Sequence, residues 1–217
     1  MKLKQLHQTS AIFDMDGTLI DSMTMWANIG TGYVRSLGYE LPQDVEDKMR
    51  VMSLLPACTL CAKELNMTQT PEELVTGMWN AVGNFYEHEV ELKAGVLAYL
   101  DKLQAAGVDL YIATATDRPL VEKAVARTGI GAYFKGIITC AEAGKGKSDS
   151  KIFLDALEQV DGDLSSTVVY EDSLVAIETA KAAGFQVVGI YDVIAAMHQT
   201  QIQDLVDVYI QDFTELL

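Results

Sequence analysis

Short apolar segments alternate with helical segments from Leu92 onward, and this alternation constrains the fold more than any other feature of the sequence. The apolar segments are rich in Val and Ile, and glycine follows several of the helical segments, where it commonly ends a helix. Such alternation predicts a doubly wound α/β fold, a parallel Rossmann-like sheet covered by helices on both faces. The predicted strands are residues 11–13, 108–113, 136–139, 167–170, 186–190 and 206–210. The predicted helices between them are residues 94–106, 119–128, 150–160 and 174–183, with a helical turn near Ala195.

Residues 22–90 show helical periodicity throughout. The predicted helices are residues 23–37, 41–49, 53–66 and 70–89. The last of them begins at Thr70, followed by Pro at the first helical position and by Glu73, which together predict a capping box. We therefore predict two domains: an α/β core of residues 1–21 and 91–217, and an inserted all-helical domain of residues 22–90.

Composition and charge narrow the possible partners. The chain of 217 residues has a net charge of −15, which argues against binding to nucleic acid or to an anionic membrane, because both require a basic face. No apolar run approaches the ~18 residues of a membrane span, and the polar N-terminus does not resemble a secretory signal, so we expect a cytoplasmic protein. The three cysteines, Cys58, Cys61 and Cys140, are expected to be reduced. A monomer is the default expectation.

Two aspartates follow the first predicted strand. Asp14 and Asp16 are two positions apart, so in extended chain both carboxylates point to the same side, at the strand end where α/β folds bind ligands. Two like charges there require a cation, and Mg²⁺ takes one or two carboxylates together with phosphate oxygens and water. An EF-hand calcium loop does not fit, because Gly17 and Met25 fall at the wrong positions of that loop. The pair therefore predicts a metal-assisted phosphoryl site.

Polar residues also follow three other predicted strands. Thr114 ends the second, and its hydroxyl with the neighbouring backbone N–H of Ala115 can hold a phosphate oxygen. Residues 144–148, Gly-Lys-Gly-Lys-Ser, follow the third, and their lysines could offset phosphoryl charge. They resemble the end of a nucleotide-binding P-loop, but the first glycine of that loop would fall at Ala141. The fourth strand is followed by a second acidic pair, Glu171-Asp172.

Residues 14–22, Asp-Met-Asp-Gly-Thr-Leu-Ile-Asp-Ser, resemble the signature of the haloacid dehalogenase superfamily, in the branch of β-phosphoglucomutase-like phosphatases. Thr114 looks like the phosphate-binding residue of the second motif, and Glu171-Asp172 looks like the fourth motif. Residues 146–153 are similar to the Gly-Lys-Pro-x-Pro-Asp-Ile-Phe run of the third motif, with serines in place of both prolines. Lys147 is therefore favoured as the motif lysine, with Lys145 as the alternative. The helical segment 22–90 corresponds to the cap domain of the family.

The resemblance implies a Mg²⁺-dependent phosphatase that acts on a small phosphorylated metabolite, such as a sugar phosphate. It implies that Asp14 is the nucleophile, which forms an aspartyl phosphate, and that Asp16 is the general acid. The implied metal ligands are Asp14, the backbone carbonyl of Asp16, Asp172 and Glu171, the last either directly or through water. The implied phosphate ligands are Thr114, Ala115 and Lys147.

Alternative activities share parts of this pattern. Dehalogenases of the superfamily have no counterpart of Asp16 and need no metal, so Asp16 favours phosphate chemistry. A β-phosphoglucomutase-like phosphomutase shares all four motifs, but Trp26 stands at the position of its cap histidine, and an indole cannot shuttle protons. A non-catalytic module that binds metal and a phosphorylated ligand is disfavoured, because the nucleophile, the acid and the lysine are all present. Candidate specificity residues are Trp26, Arg50, Met52, Ser53, Thr116, Asp117 and Arg118, of which Arg118 could hold a second anionic group.

Overall fold

The computed structural model describes residues 8–50 and 52–217. The chain forms two compact units. The core unit consists of Val90–Leu217 together with the described residues up to Met23, and the helical insert is Thr24–Glu89.

The core unit contains a six-stranded parallel sheet in the order β3-β2-β1-β4-β5-β6. The strands are β1 (Ser10–Phe13), β2 (Asp109–Thr114), β3 (Gly136–Thr139), β4 (Thr167–Glu171), β5 (Gln186–Ile190) and β6 (Val208–Ile210). The first strand lies in the middle of the sheet, between β2 and β4. The sheet reverses its winding direction at this strand, which is where open α/β sheets place their ligands. The predicted fold class is therefore confirmed.

The described residues of the helical insert, with Met23 just before it, form four helices, which are α1 (Met23–Ser36), α2 (Gln43–Met49), α3 (Leu54–Glu64) and α4 (Pro71–His88). Thr70 and Glu73 form a capping box at the start of α4, with both reciprocal hydrogen bonds present. Cys58 and Cys61 are buried free thiols of the insert core, and burial together with the Cys61 thiol raises the pKa of Cys58 to about 11. They are packing residues, since a neutral, inaccessible thiol is unreactive.

The helices of the core unit are α5 (Val96–Ala105), α6 (Arg118–Thr128), α7 (Cys140–Ala143), α8 (Lys151–Leu157), α9 (Leu174–Ala183) and α10 (Gln199–Leu205). Short 3₁₀ segments lie at Ile130–Tyr133, Ala196–His198 and Phe213–Leu216. The sequence patterns did not predict α7 or α10. The last strand begins at Val208 and not at residue 206, because Val206 caps α10 and donates its N–H to the carbonyl of Ile202.

The two faces of the sheet are packed differently around β1 and β4. On one face Ile12 and Val169 join a hydrophobic cluster that includes Phe153. On the other face Phe13 stacks on Tyr170 with ring centroids 4.2 Å apart. Because the side chains of both strands are fully buried, the two strands that carry the acidic residues form a rigid base for them.

No helix among the described residues is long and apolar enough to cross a membrane.

Candidate active site

The loop after β1 turns tightly and presents Asp14 at the edge of the sheet. Asp14 donates its backbone N–H to the carbonyl of Tyr170 at 2.9 Å, which continues the pairing of β1 with β4 by one residue. The carbonyl of Met15 then accepts the N–H groups of Leu19 and Ile20 at 2.9 and 3.0 Å. Gly17 has φ +83°, and a Cβ there would lie 2.4 Å from Oδ2 of Asp172. Only glycine fits this position.

Three buried carboxylates meet at this edge. Phe13 and Tyr170 are paired in register, so the residues that follow them, Asp14 and Glu171, lie side by side. One oxygen from each of Asp14, Glu171 and Asp172 lies within 4.8 Å of the others. Burial raises the pKa of Asp14 to about 7, although Lys147 opposes the rise. It also raises the pKa of Asp172 well above its ordinary value. A cluster of three acids offering only oxygen ligands suits a hard divalent cation.

Lys147 supplies the positive charge of the cluster. Its Nζ donates to Oδ1 of Asp14 and, at 2.5 Å, to Oε1 of Glu171. Burial opposes the charged form, but the two carboxylates outweigh it and raise the pKa of Lys147. Lys145, in contrast, has a side chain 59% exposed, and its amine lies 3.9 Å from Asp149. The structure thus brings Lys147 into the cluster and leaves Lys145 outside it.

The end of β2 lies beside the second aspartate. Thr114 is fully buried, and its Oγ1 accepts the N–H of Thr116 at 3.1 Å. The Thr116 hydroxyl donates to Oδ2 of Asp16 at 2.7 Å, and Ser22 donates to Oδ1 of the same carboxylate at 2.6 Å. Ala115, between the two threonines, is exposed. Asp16 is therefore held between a residue of its own loop and a residue after β2.

Arg118 is occupied by other partners within the core unit. Its guanidinium makes two hydrogen bonds to Glu142, at 2.9 and 2.6 Å, and a third to the carbonyl of Ile137 at 2.7 Å. Hydrogen bonds from Arg118, with those of the Thr139 cap, lower the pKa of Glu142 to about 2. The side chain therefore fastens the start of α6 to β3.

Asp117 is exposed at the start of α6 and makes no side-chain capping bond, and the remaining specificity candidates belong to the helical insert. Trp26 donates its indole N–H to the hydroxyl of Tyr86 at 2.8 Å. Arg50 pairs at 2.6 Å with the buried carboxylate of Glu46, which Arg35 also contacts. Ser53 is exposed at the start of α3 and makes no side-chain capping bond.

Several residues around the site have contacts that the sequence did not predict. Thr18 donates to Oδ1 of Asp172 at 3.1 Å, and Ser22 holds Asp16, although both belong to the recognised first motif. Lys93 donates to the carbonyl of Gly17 and, at 3.0 Å, to Oδ2 of Asp192. Lys93 is 76 positions from Gly17, and no local pattern marks a contact of that kind.

Residues 11–190 match the haloacid dehalogenase-like hydrolase family. A phosphorylated carbohydrates phosphatase from Thermotoga maritima is 23% identical over 87% of this chain and 87% of its own. Pyrophosphatase PpaX from Bacillus velezensis is 27% identical over 84% and 82%. Among solved structures, CbbY from Rhodobacter sphaeroides in complex with xylulose-(1,5)-bisphosphate superposes with a TM-score of 0.71 at 21% identity, covering 96% of both chains.

The site is thus a buried acidic cluster with one largely buried lysine at the carboxyl edge of a parallel α/β sheet. The chain belongs to the haloacid dehalogenase-like hydrolase family. The two relatives are named as a phosphatase and a pyrophosphatase, and the phosphatase activity that the sequence predicts agrees with those names.

Proposed function

We propose that this protein is a Mg²⁺-dependent phosphatase that hydrolyses a small phosphorylated carbohydrate through an aspartyl phosphate on Asp14. The observation that carries the proposal is the buried cluster of Asp14, Glu171 and Asp172 with Lys147 bound to two of its members. Burying three carboxylates against a single lysine is costly, and a bound cation would offset the remaining negative charge.

The donor set fits a hard divalent ion. Asp14, Asp172 and the backbone carbonyl of Asp16 offer oxygen atoms only, which Mg²⁺ prefers. Glu171 has other partners on both oxygens, since Oε1 accepts from Lys147 and Oε2 accepts the N–H groups of Asp172 and Ser173, both at 2.9 Å. We therefore assign Glu171 to the orientation of Lys147 and to contact with the cation through water. When bound, the cation would offset charge on the phosphoryl oxygens.

The reaction divides between the two aspartates. A carboxylate oxygen of Asp14 attacks phosphorus, the bond from phosphorus to the sugar oxygen breaks, and Asp16 gives its proton to that oxygen. Water then attacks the phosphorus of the aspartyl phosphate and gives a proton to Asp16, while the bond from phosphorus to the Asp14 oxygen breaks. This step releases inorganic phosphate and restores both side chains. In this scheme Asp16 acts once as an acid and once as a base.

Three groups would hold the transferring phosphoryl group. Thr114 accepts the N–H of Thr116 and can donate its own hydroxyl hydrogen to a phosphoryl oxygen. The backbone N–H of Ala115 and the ammonium of Lys147 would supply the other donors. The pairing of Arg118 with Glu142 argues against its proposed role in holding a second anion of the substrate.

A carbohydrate phosphate is the preferred substrate class because the Thermotoga maritima relative is named for that activity. A phosphomutase is disfavoured, because Trp26 has a single ring nitrogen, which donates to Tyr86 and cannot relay protons. We also propose that the protein is a monomer of the cytoplasm. Its three free cysteines agree with a reducing compartment.

The proposal is tested by phosphate release from a panel of sugar phosphates, nucleotides and short organic phosphates, with Mg²⁺ or with chelator. We expect turnover of sugar phosphates that requires Mg²⁺ in the wild type and is lost in Asp14→Asn. Isomerisation of sugar phosphates in the presence of a bisphosphate activator, without phosphate release, would show a mutase instead.

A further inference from the structure

The carboxylate of Asp16 is held at both of its oxygens by hydroxyl groups from distant parts of the chain. Ser22 donates to Oδ1 at 2.6 Å and Thr116 donates to Oδ2 at 2.7 Å. Ser22 is fully buried, and Thr116 lies 100 positions away along the sequence. The terminal torsion of an aspartate is broad, so one hydrogen bond leaves the carboxylate plane poorly defined. Donors on both oxygens fix that plane.

Thr116 also fixes the phosphate-binding end of β2. Its backbone N–H donates to Oγ1 of Thr114 at 3.1 Å, while its side chain reaches Asp16. A single residue therefore sets the distance between the hydroxyl proposed to bind the phosphoryl group and the carboxyl proposed to protonate the leaving oxygen. Misplacement of reacting groups by about 1 Å can lower a catalytic rate roughly 100-fold.

The chemistry of the two partners suits a group that changes charge. A hydroxyl has one donor and two acceptor sites, so it can donate to the ionised carboxylate and accept from the protonated acid. An arginine or lysine in the same place could only donate and would favour the ionised form alone. Hydroxyl partners let one carboxyl serve as acid and then as base without changing its position.

We propose that Thr116 and Ser22 are positioning residues that hold Asp16 for proton transfer, and that Thr116 does not select the substrate. The inference rests on the proposed function and revises the role in specificity that the sequence predicted for Thr116. Thr116 should therefore affect the transfer of the proton from Asp16 to the leaving oxygen, and this effect should not depend on which sugar is the leaving group.

The test compares Thr116→Val, which keeps the shape and removes the hydroxyl, with Thr116→Ser, which keeps the hydroxyl. Two substrates are used. A sugar phosphate has an alkoxide leaving group, which needs a proton from the general acid. An aryl phosphate has a phenolate leaving group, which is stable enough to leave without one. Because general acid catalysis contributes roughly 10²- to 10⁴-fold, we expect Thr116→Val to lower kcat/KM about 10- to 100-fold for the sugar phosphate and no more than about 3-fold for the aryl phosphate. Thr116→Ser should restore most of the loss, and Ser22→Ala should act like Thr116→Val.

Three controls separate positioning from a general structural effect. Thr179→Val removes a hydroxyl that donates within α9, to the carbonyl of Val175, and should leave the hydrolysis of both substrates unchanged. In an Asp16→Asn background, Thr116→Val should cause little further loss, because both changes act on one proton transfer. Crystal structures without substrate should show the Asp16 carboxylate in one orientation in the wild type and in more than one in Thr116→Val.

The outcomes are distinct. Equal losses on both substrates, or a change in KM that depends on the identity of the sugar, would overturn the positioning role and restore the role in specificity. An unchanged, single orientation of Asp16 in Thr116→Val would also overturn it. If the wild type hydrolyses neither substrate, the proposed function fails, while the crystallographic comparison still decides the positioning role.

Discussion

Gly17 illustrates how strongly one residue can determine the site. Its positive φ costs a non-glycine residue about 1–2 kcal/mol, and a Cβ there would collide with Asp172. We expect Gly17→Ala to lower the stability of the protein. It should also weaken cation binding about 10-fold, a loss of ~1.4 kcal/mol in binding free energy, because the new Cβ displaces the carboxylate of Asp172. The affinity for the cation is measured by titration calorimetry with Mn²⁺, which substitutes for Mg²⁺, in the absence of substrate.

Gly107→Ala is the matched control. Gly107 has φ +73°, but nothing lies within 4 Å of the position its Cβ would take. The control variant should lose a similar amount of stability and bind Mn²⁺ as the wild type does. Equal affinities in the two variants would show that the contact with Asp172 is unimportant.

The raised pKa of Asp14 predicts a dependence of stability on pH. The pKa rises from 3.8 when unfolded to about 7 when folded, chiefly through burial, so the folded protein binds the proton more tightly. The stability that this group contributes is therefore complete below pH 3.8 and is lost as the pH rises toward 7. In chelator, Asp14→Asn should raise the melting temperature above pH 7 by about 2–4 °C, equivalent to roughly 1 kcal/mol, and the gain should shrink toward pH 4.

Removal of an exposed negative charge controls for the net charge of −15. Asp204→Asn changes the same functional group on the surface of α10. It should not reproduce the pH-dependent gain seen in Asp14→Asn. A gain of equal size in both variants would mean that overall charge, and not burial of Asp14, sets the effect.

At the scale of elements, the segment that returns from the helical insert is fastened to the site loop. Leu92 pairs with Ile20 in an antiparallel bridge, and the ammonium of Lys93 donates to the carbonyls of Gly17 and Tyr191 and to the buried carboxylate of Asp192. This single side chain thus joins three separate segments. Its side chain is 13% exposed and that of Asp192 is 3% exposed.

Lys93→Met should therefore destabilise the protein by about 3 kcal/mol, because it leaves a buried carboxylate without its cation. The double variant Lys93→Met with Asp192→Asn should recover much of this loss, since the uncompensated charge is gone. Urea denaturation of the four proteins of this cycle gives the coupling energy. A double variant no more stable than the single one would show that the backbone contacts of Lys93, and not the ion pair, account for its effect.

The elements that the sequence predicts well are those whose own residues encode them. The strands β1 to β5 are apolar and bounded by polar residues or glycine, and their order along the chain implies a parallel sheet. The strand ends in turn place Asp14, Thr114, Lys147 and Glu171 at one edge. The helix α10 escaped prediction because its sequence, Gln-Thr-Gln-Ile-Gln-Asp-Leu, is mostly polar and buries only Ile202.

The contacts that the sequence did not predict join residues far apart along the chain. The bond of Thr116 to Asp16 spans 100 positions and the bond of Lys93 to Gly17 spans 76. For Arg118 the position after β2 suggested a site for an anion of the substrate. In the structure its guanidinium is paired with Glu142, which lies 24 positions further along the chain. A pattern within one strand or helix carries no information on such partners, which depend on how the elements are assembled.

At the scale of the whole molecule, the helical insert interrupts the core unit at two adjacent points. Asp21 donates its N–H to the carbonyl of Glu91 at 3.0 Å, and Lys93 donates its N–H to the carbonyl of Leu19 at 3.0 Å. The two connecting segments are therefore paired like the strands of a hairpin. The residues proposed to hold the cation, directly or through water, all belong to the core unit: Asp14, Asp16, Glu171 and Asp172.

We accordingly predict that the core unit folds without the insert. Replacement of Thr24–Glu89 by a two-residue Asn-Gly turn, which suits a tight hairpin, should give a protein that unfolds cooperatively and binds Mn²⁺ with an affinity within about 3-fold of the full chain, a difference of less than ~0.7 kcal/mol. The same deletion carrying Asp172→Asn is the control and should bind the ion far more weakly. If the shortened chain folds but has lost its affinity for Mn²⁺, then the insert contributes to the cation site, and the assignment of that site to the core residues alone is wrong.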